Sequence, residues 1–374
     1  MRTTVKAFLG AVVAAALVVA CATTTTSPGH KEAKEAPGPT IQIGAGHFSK
    51  DAKAFHYWDK EPAIPPVCAK CHAVDGLATF LRDGKNPASP HVKGYGFACT
   101  NCHVDVVSFA LRDAPKVTFP SGATVNSGDR ATNVCMQCHM GIESGGSVNK
   151  AIAGMDADTP NPKISFVHVH YKQAGATIYG SEAKVGYEYP GKAYAGRFAH
   201  AAGANTCTSC HDAHGGQVNW ANCAACHKKT GIKSEADIVK IRMTAVDWDG
   251  DGTADGAAQE IAGLQKQLLA AIQAYSRTVG GVQIAFSPAA FPYWYADRNG
   301  NGTIDPDELK PDNKYPAYTP RLLQAVYNYT FSIRDPGAAY HNSKYTAQLL
   351  YDSLESLAQS QKAAVNMAGK ARAQ

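Results

Sequence analysis

The chain has 374 residues, with 36 Lys and Arg against 31 Asp and Glu, 14 His and 11 Cys, and a formal net charge of +5. A surplus this small does not argue for a nucleic-acid partner, and the N-terminal apolar run is too short to span a bilayer as a helix. By length alone the chain holds one or two domains.

Taken in chain order, Arg2 and Lys6 precede an apolar stretch from Ala7 to Ala20, the shape of a secretory signal. The stretch ends Val18-Val19-Ala20-Cys21 and resembles a bacterial lipobox, with valine where leucine is commoner. On this reading residues 1–20 are a lipoprotein signal peptide and Cys21 carries the lipid, with ordinary cleavage nearby as the alternative. Ala22 in place of an aspartate then favours sorting to the outer membrane, and several acyl chains on one cysteine anchor a protein without a spanning helix. Residues 21–45 are rich in Thr, Ser, Pro, Gly, Lys and Glu and read as a flexible tether, with His30 solvated inside it.

Between Cys68 and His227 the sequence Cys-x-x-Cys-His occurs five times, as CAKCH, CTNCH, CMQCH, CTSCH and CAACH. This is the attachment signature of c-type haem: two thiols form thioethers and the next histidine ligates the iron. It assigns Cys68, Cys71 and His72; Cys99, Cys102 and His103; Cys135, Cys138 and His139; Cys207, Cys210 and His211; Cys223, Cys226 and His227. Zinc sites, thioredoxin-like pairs and structural disulfides all leave five histidines in fixed register unexplained. Export fits covalent haem attachment. Roughly two propionates per haem, with Arg2 and Lys6 removed, turn the net charge negative, so the basic sequence does not speak for nucleic acid. Residues 46–233 are therefore expected to be a pentahaem domain of loops and short helices, mainly α, with porphyrins supplying the core that side chains do not.

The sixth ligand of each iron decides the chemistry: a second histidine closes the metal to substrate, and an open position permits small-molecule reactions. Nine histidines lie outside the motifs: His30, His47, His56, His91, His168, His170, His200, His214 and His341. His214 follows its motif closely in CTSCHDAH. His168 and His170 alternate in SFVHVHY, and in an extended strand both would face one side, one ligating and the other hydrogen-bonding.

The chain resembles a family of exported multihaem cytochromes of bacteria that respire metals and other external acceptors, from about His47 to Leu357. The matching stretches are FPSGATVNSGDRATNVCMQCHMG, VHYKQAGATIYGSEAKVGYEY, GRFAHAAGANTCTSCHDAHGG and DPGAAYHNSKYTAQLLYDSLESL. The resemblance implies His47, His170, His200, His214 and His341 as distal ligands, with His56 and His91 in reserve. The supply of histidines and the density of haem motifs favour an electron carrier, facing the periplasm or the cell exterior, whose expected partners are other cytochromes and an extracellular acceptor.

From residue 234 to 374 the chain has no cysteine and becomes helical. Ile261, Leu264, Leu268, Leu269 and Ile272 follow one apolar helix face, stopped by Gly280 and Gly281, and Leu349, Leu350, Leu354 and Leu357 form another. If His341 ligates a haem, this region packs on the haem domain. Two calcium-like loops lie in it. Asp297, Asn299, Asn301, Gly302, Thr303, Asp305 and Glu308 match the positions of an EF-hand loop, where oxygen ligands surround the ion and glycine permits the turn. The earlier loop offers Asp247, Asp249, Asp251, Gly252, Thr253 and Asp255, but Ala258 stands at the twelfth position and Glu260 must serve from two places later. Calcium is expected in a structural role. Two functions compete: an electron carrier with five doubly ligated haems, or a multihaem reductase or oxidase with one open haem acting on a small nitrogen or sulfur compound. In pentahaem nitrite reductases the active haem sits on a motif ending in lysine, whereas every motif here ends in histidine.

Overall fold

Glycine, proline and polar turn residues break the chain before residue 235 into short pieces. The computed structural model describes residues 47–48, 53–93, 96–228, 231–239, 241 and 246–374; the proposed signal, Cys21 and the tether lie outside them. In the first part are helices α1 (Pro66–His72), α2 (Gly76–Asp83), α3 (Cys99–Cys102), α4 (Arg130–Met136), α5 (Gly145–Ala151), α6 (Ala174–Tyr179), α7 (Cys207–Cys210) and α8 (Trp220–Cys226). Two-residue antiparallel ladders pair β1 (Ala63–Ile64) with β2 (Ser89–Pro90), and β3 (Val117–Thr118) with β4 (Thr124–Val125). Helices this short do not stand alone, so their ends are held locally. The Asp129 carboxylate accepts the Thr132 N–H at the start of α4, and the Thr206 hydroxyl accepts the Ser209 N–H at the start of α7.

The later part is built differently. After α9 (Glu235–Ile238) come α10 (Ala257–Gly280), the hairpin of β5 (Gln283–Phe286) and β6 (Trp294–Asp297), α11 (Pro320–Arg334) and α12 (Ala338–Gln359). The apolar stripe of α10 is inside, with Leu264, Leu268 and Ile272 at 0% exposure, and the helix ends where Gly281 takes a left-handed φ of 72°. Leu349, Leu350, Leu354 and Leu357 of α12 are buried against it. No described helix is long and apolar enough to cross a membrane.

Residues 139–197 are bonded to this helical layer by buried polar side chains, within a unit that runs from Gln42 to Gln374. Asn328 of α11 accepts the Tyr187 N–H at 2.8 Å and donates to the Tyr187 carbonyl at 2.9 Å. Gln173 donates to the Phe331 carbonyl, Asn342 to the Gly196 carbonyl, and Gln348 accepts the Ala195 N–H. The buried Asp352 carboxylate receives both Lys192 and Arg372. An interior amide left without partners costs more than a hydrogen bond gains, so these bonds fix the register of α11 and α12 against the motif-bearing chain.

Candidate haem-binding site

Each Cys-x-x-Cys-His lies on or at the end of one short helix, so one turn presents both thiols and the next residue turns the imidazole away. The ten described cysteines are free thiols. Three motif histidines are fixed by a backbone carbonyl. His72 Nδ1 donates to Ala54 O at 3.0 Å, His103 Nδ1 to Phe109 O at 2.7 Å and His139 Nδ1 to Lys172 O at 2.8 Å. A carbonyl only accepts, so Nδ1 carries the proton and Nε2 is left as the ligand atom.

Every motif histidine has a second histidine across from it. Ring centroids are 5.9 Å apart for His72 and His170, 6.2 Å for His103 and His214, 5.9 Å for His139 and His47, 6.2 Å for His211 and His341, and 6.0 Å for His227 and His200. Two imidazoles ligating one metal from opposite sides, each with a metal–nitrogen bond of about 2 Å, have centroids roughly 6 Å apart. The residues present therefore fit five doubly ligated haems. Burial lowers the pKa of His47 and His170 to about 4, which keeps them in the neutral form that ligates a metal.

The backbone is shaped for these placements. His170 sits at φ 84°, a conformation that a non-glycine residue adopts only when its surroundings demand it. The SFVHVHY stretch is in no strand, although the His168 and His170 rings still lie 5.9 Å apart. His168 points among Phe166, Tyr171, Phe291 and Tyr293, opposite no motif histidine. A Cβ on Gly96 would strike the His47 carbonyl, and one on Gly337 would meet the His341 ring at 2.5 Å. His341 is held further by Asp335, 3% exposed, whose carboxylate oxygens lie 2.8 and 3.0 Å from its Nδ1. Asp335 and Gly337 escaped the sequence reading, although both lie in the DPGAAYHN segment.

The motifs also touch one another. The Cys71 and Cys138 thiols adjoin, as do those of Cys135 and Cys207, and the Cys207 N–H reaches the Thr132 hydroxyl at 3.2 Å. Cys102 packs against the cluster of Leu77, Ala114 and Val134, the last on α4, and lies close enough to Cys135 to act on it electrostatically. Asn222 on α8 donates to the Ser209 carbonyl on α7. His56 and His91 face each other around Asp59 rather than a motif histidine.

The two acidic loops share one hydrogen-bond pattern. Asp247 accepts from Gly250 and Gly252 as Asp297 does from Gly300 and Gly302. Asp249 accepts from Asp251, and Asn299 from Asn301; Asp251 accepts from Thr253, and Asn301 from Thr303. Glu260 takes the N–H groups of Trp248, Asp249 and Asp255, and Glu308 those of Arg298, Asn299 and Asp305. Glu260 thus occupies the place of Glu308 despite its two-residue offset. Gly252 and Gly302 have φ of 93° and 88°, which explains glycine at both. Burial, with the neighbouring Asp251, Glu260 and Asp247 carboxylates, pushes Asp249 up to about 6. The later loop is entered by β6 and left by a turn, so it lacks the flanking helix pair of a complete EF-hand. Both loops dock on α10, where Gln267 donates to Asp249 O and Gln273 to Gly302 O.

Among curated proteins the chain is 28% identical over 359 residues to the C-type polyheme cytochrome OmcB of Geobacter sulfurreducens, in strains DL-1/KN400 and PCA, and 26% identical over 369 residues to OmcC of strain PCA. The matches cover 81% and 84% of this chain but 45% of each relative, so the chain spans less than half the length of the proteins it matches. No protein-family model matches the chain, and no solved structure matches it significantly. The chain thus carries five haem-attachment motifs and is similar, over most of its own length, to polyhaem c-type cytochromes.

Proposed function

We propose that the chain is an electron carrier in which five covalently held haems, each closed by two histidines, pass electrons between redox proteins and onward to an external acceptor. The five histidine pairs carry this reading. Haem supplies the one-electron couple; the chain's residues supply attachment, axial ligands and exclusion of substrate from the metal. His47, His170, His200, His214 and His341 close the positions where a nitrogen or sulfur compound would otherwise bind, which places the reductase second. Two calcium ions, held by residues 247–260 and 297–308, stiffen the helical region that carries His341. The proposed organisation is a signal over 1–20, a tether over 21–45 lipidated at Cys21, a haem domain over 46–233 and a helical region over 234–374, anchored at the outer membrane.

Electron paramagnetic resonance of the ferric protein, with haem quantified, tests the reading. Five haems, all low-spin, are expected; one high-spin centre favours the reductase. The ring planes add detail. His103 and His214 lie within 13° of parallel, whereas His72 and His170 cross at 83°. The first pair is expected to give an ordinary rhombic signal and the second a strongly anisotropic one, because crossed imidazoles leave the iron d orbitals nearly degenerate.

A further inference from the structure

His56 and His91 belong to none of the five histidine pairs described above, and the fold brings them to one carboxylate. His56 follows the 3-10 turn Lys53–Phe55, and Asp59 lies one turn later, its N–H bonded to the His56 carbonyl. His91 arrives from the other side because β1 and β2 pair Ala63 with Pro90. His56 Nδ1 is 3.1 and 3.3 Å from the Asp59 oxygens, and His91 Nε2 is in direct contact with Oδ1. One ligand atom from each of the three residues lies within 4.8 Å of the other two. The His91 side chain is 4% exposed, while Asp59 is 38% exposed, so the cluster is anchored on one side and open to water on the other.

We propose that His56, Asp59 and His91 form a site for a divalent transition-metal cation of the zinc class. Two imidazole nitrogens and one carboxylate oxygen, with a position left for water, are a donor set that zinc accepts and that calcium, which takes oxygen ligands, does not. The surroundings give the cation something to do. Among the described residues the buried apolar side chains near this turn are Phe55 and a small cluster of Ile64, Ala69 and Ala73, with Trp58 and Cys68 against it. A metal bound here clips residues 56–59 to residue 91 beside a two-residue ladder, so metal binding is folding energy for this stretch. The same turn supplies the Ala54 carbonyl that orients His72, and the Trp58 ring lies 5.2 Å from the His72 ring, which sets the clip beside the first motif.

The test uses the full haem-loaded chain without an affinity tag, stripped with chelator and dialysed against zinc chloride in excess calcium. One zinc per chain is expected, with affinity falling at least tenfold in both His91→Gln and Asp59→Asn while haem content is unchanged. Failure of the native chain to retain zinc, or equal retention by both variants, would overturn the proposal. Should the variants not fold, zinc-edge X-ray absorption on the native chain decides. A shell with two imidazoles supports the site, and an all-oxygen or sulfur-containing shell refutes it.

Discussion

The segments that carry the motifs and the helical layer behind them obtain stability in opposite ways. Helices α10 and α11 run to 24 and 15 residues, α12 spans 22 with a kink at Asn342, and all three bury faces of Leu, Ile or aromatic side chains. Helices α1 to α8 reach at most eight residues, and α7 and α8 bury no residue at all. A chain whose own side chains cannot cover its apolar surface needs another source of contact. Porphyrin is that source in the proposed reading, so the segments of the first and the last two motifs depend on their cofactor, whereas α4 of the third motif shares, through Met136, the side-chain core of the helical layer.

The sharpest way to break this comparison is to withhold haem. With all ten motif cysteines changed to serine, residues 53–93 and 199–228 are expected to lose hydrogen-exchange protection almost completely, while α10 to α12 keep theirs. Equal protection in both regions would end the contrast. A smaller effect is expected where the two regions meet: His341→Met shifts the potential and visible spectrum of one haem, with haem content unchanged. Asp335→Asn moves that same potential upward by less, because it withdraws negative charge from the ligand imidazole. Spectroelectrochemistry reads both.

Within the helical layer, chelating calcium is expected to lower the melting temperature. At a calcium concentration a hundredfold above Kd the bound ion contributes about 2.7 kcal/mol, and Glu308→Gln should remove the share of the later loop and Glu260→Gln that of the earlier one. The smallest effect belongs to Asp158, which receives Arg321 at 2.7 and 3.0 Å and the Tyr275 hydroxyl at 2.6 Å. The Arg321 hydrogen bond holds its carboxyl below the usual value. Its stabilisation is therefore complete above the ordinary carboxylate value and is lost as pH falls below that value and through the lowered folded one. Asp158→Asn should cost about 1 kcal/mol near neutrality, a difference that denaturant unfolding should show fading in acid.

What could be read from the sequence follows from how local the chemistry is. Thioether attachment needs two thiols and a ligand within five consecutive residues, so the motifs are visible in one dimension. The stripe from Ile261 to Ile272 is visible because helical periodicity repeats it. Distal histidines have no such local signature: His170 and His72 are far apart in sequence, and only resemblance singled out the histidines that the fold sets opposite the motifs. Asp335 and Gly337 act through a turn whose geometry no composition reveals. The His56, Asp59 and His91 cluster depends on a two-residue ladder too short to leave a pattern. Glu260 was legible as a candidate, but its equivalence to Glu308 emerged from the hydrogen bonds.

The contacts around Cys135, Cys138 and His139 carry a last consequence. This motif adjoins the first through Cys71, the second through Cys102 and the fourth through Cys207, and the fourth leads to the fifth through Asn222. With haems on these motifs, the layout is a junction rather than a row. Charge arriving at the first motif would pass through the third, whereas the second also meets the fourth-motif segment directly through His214. Losing the third would strand the first and spare the second.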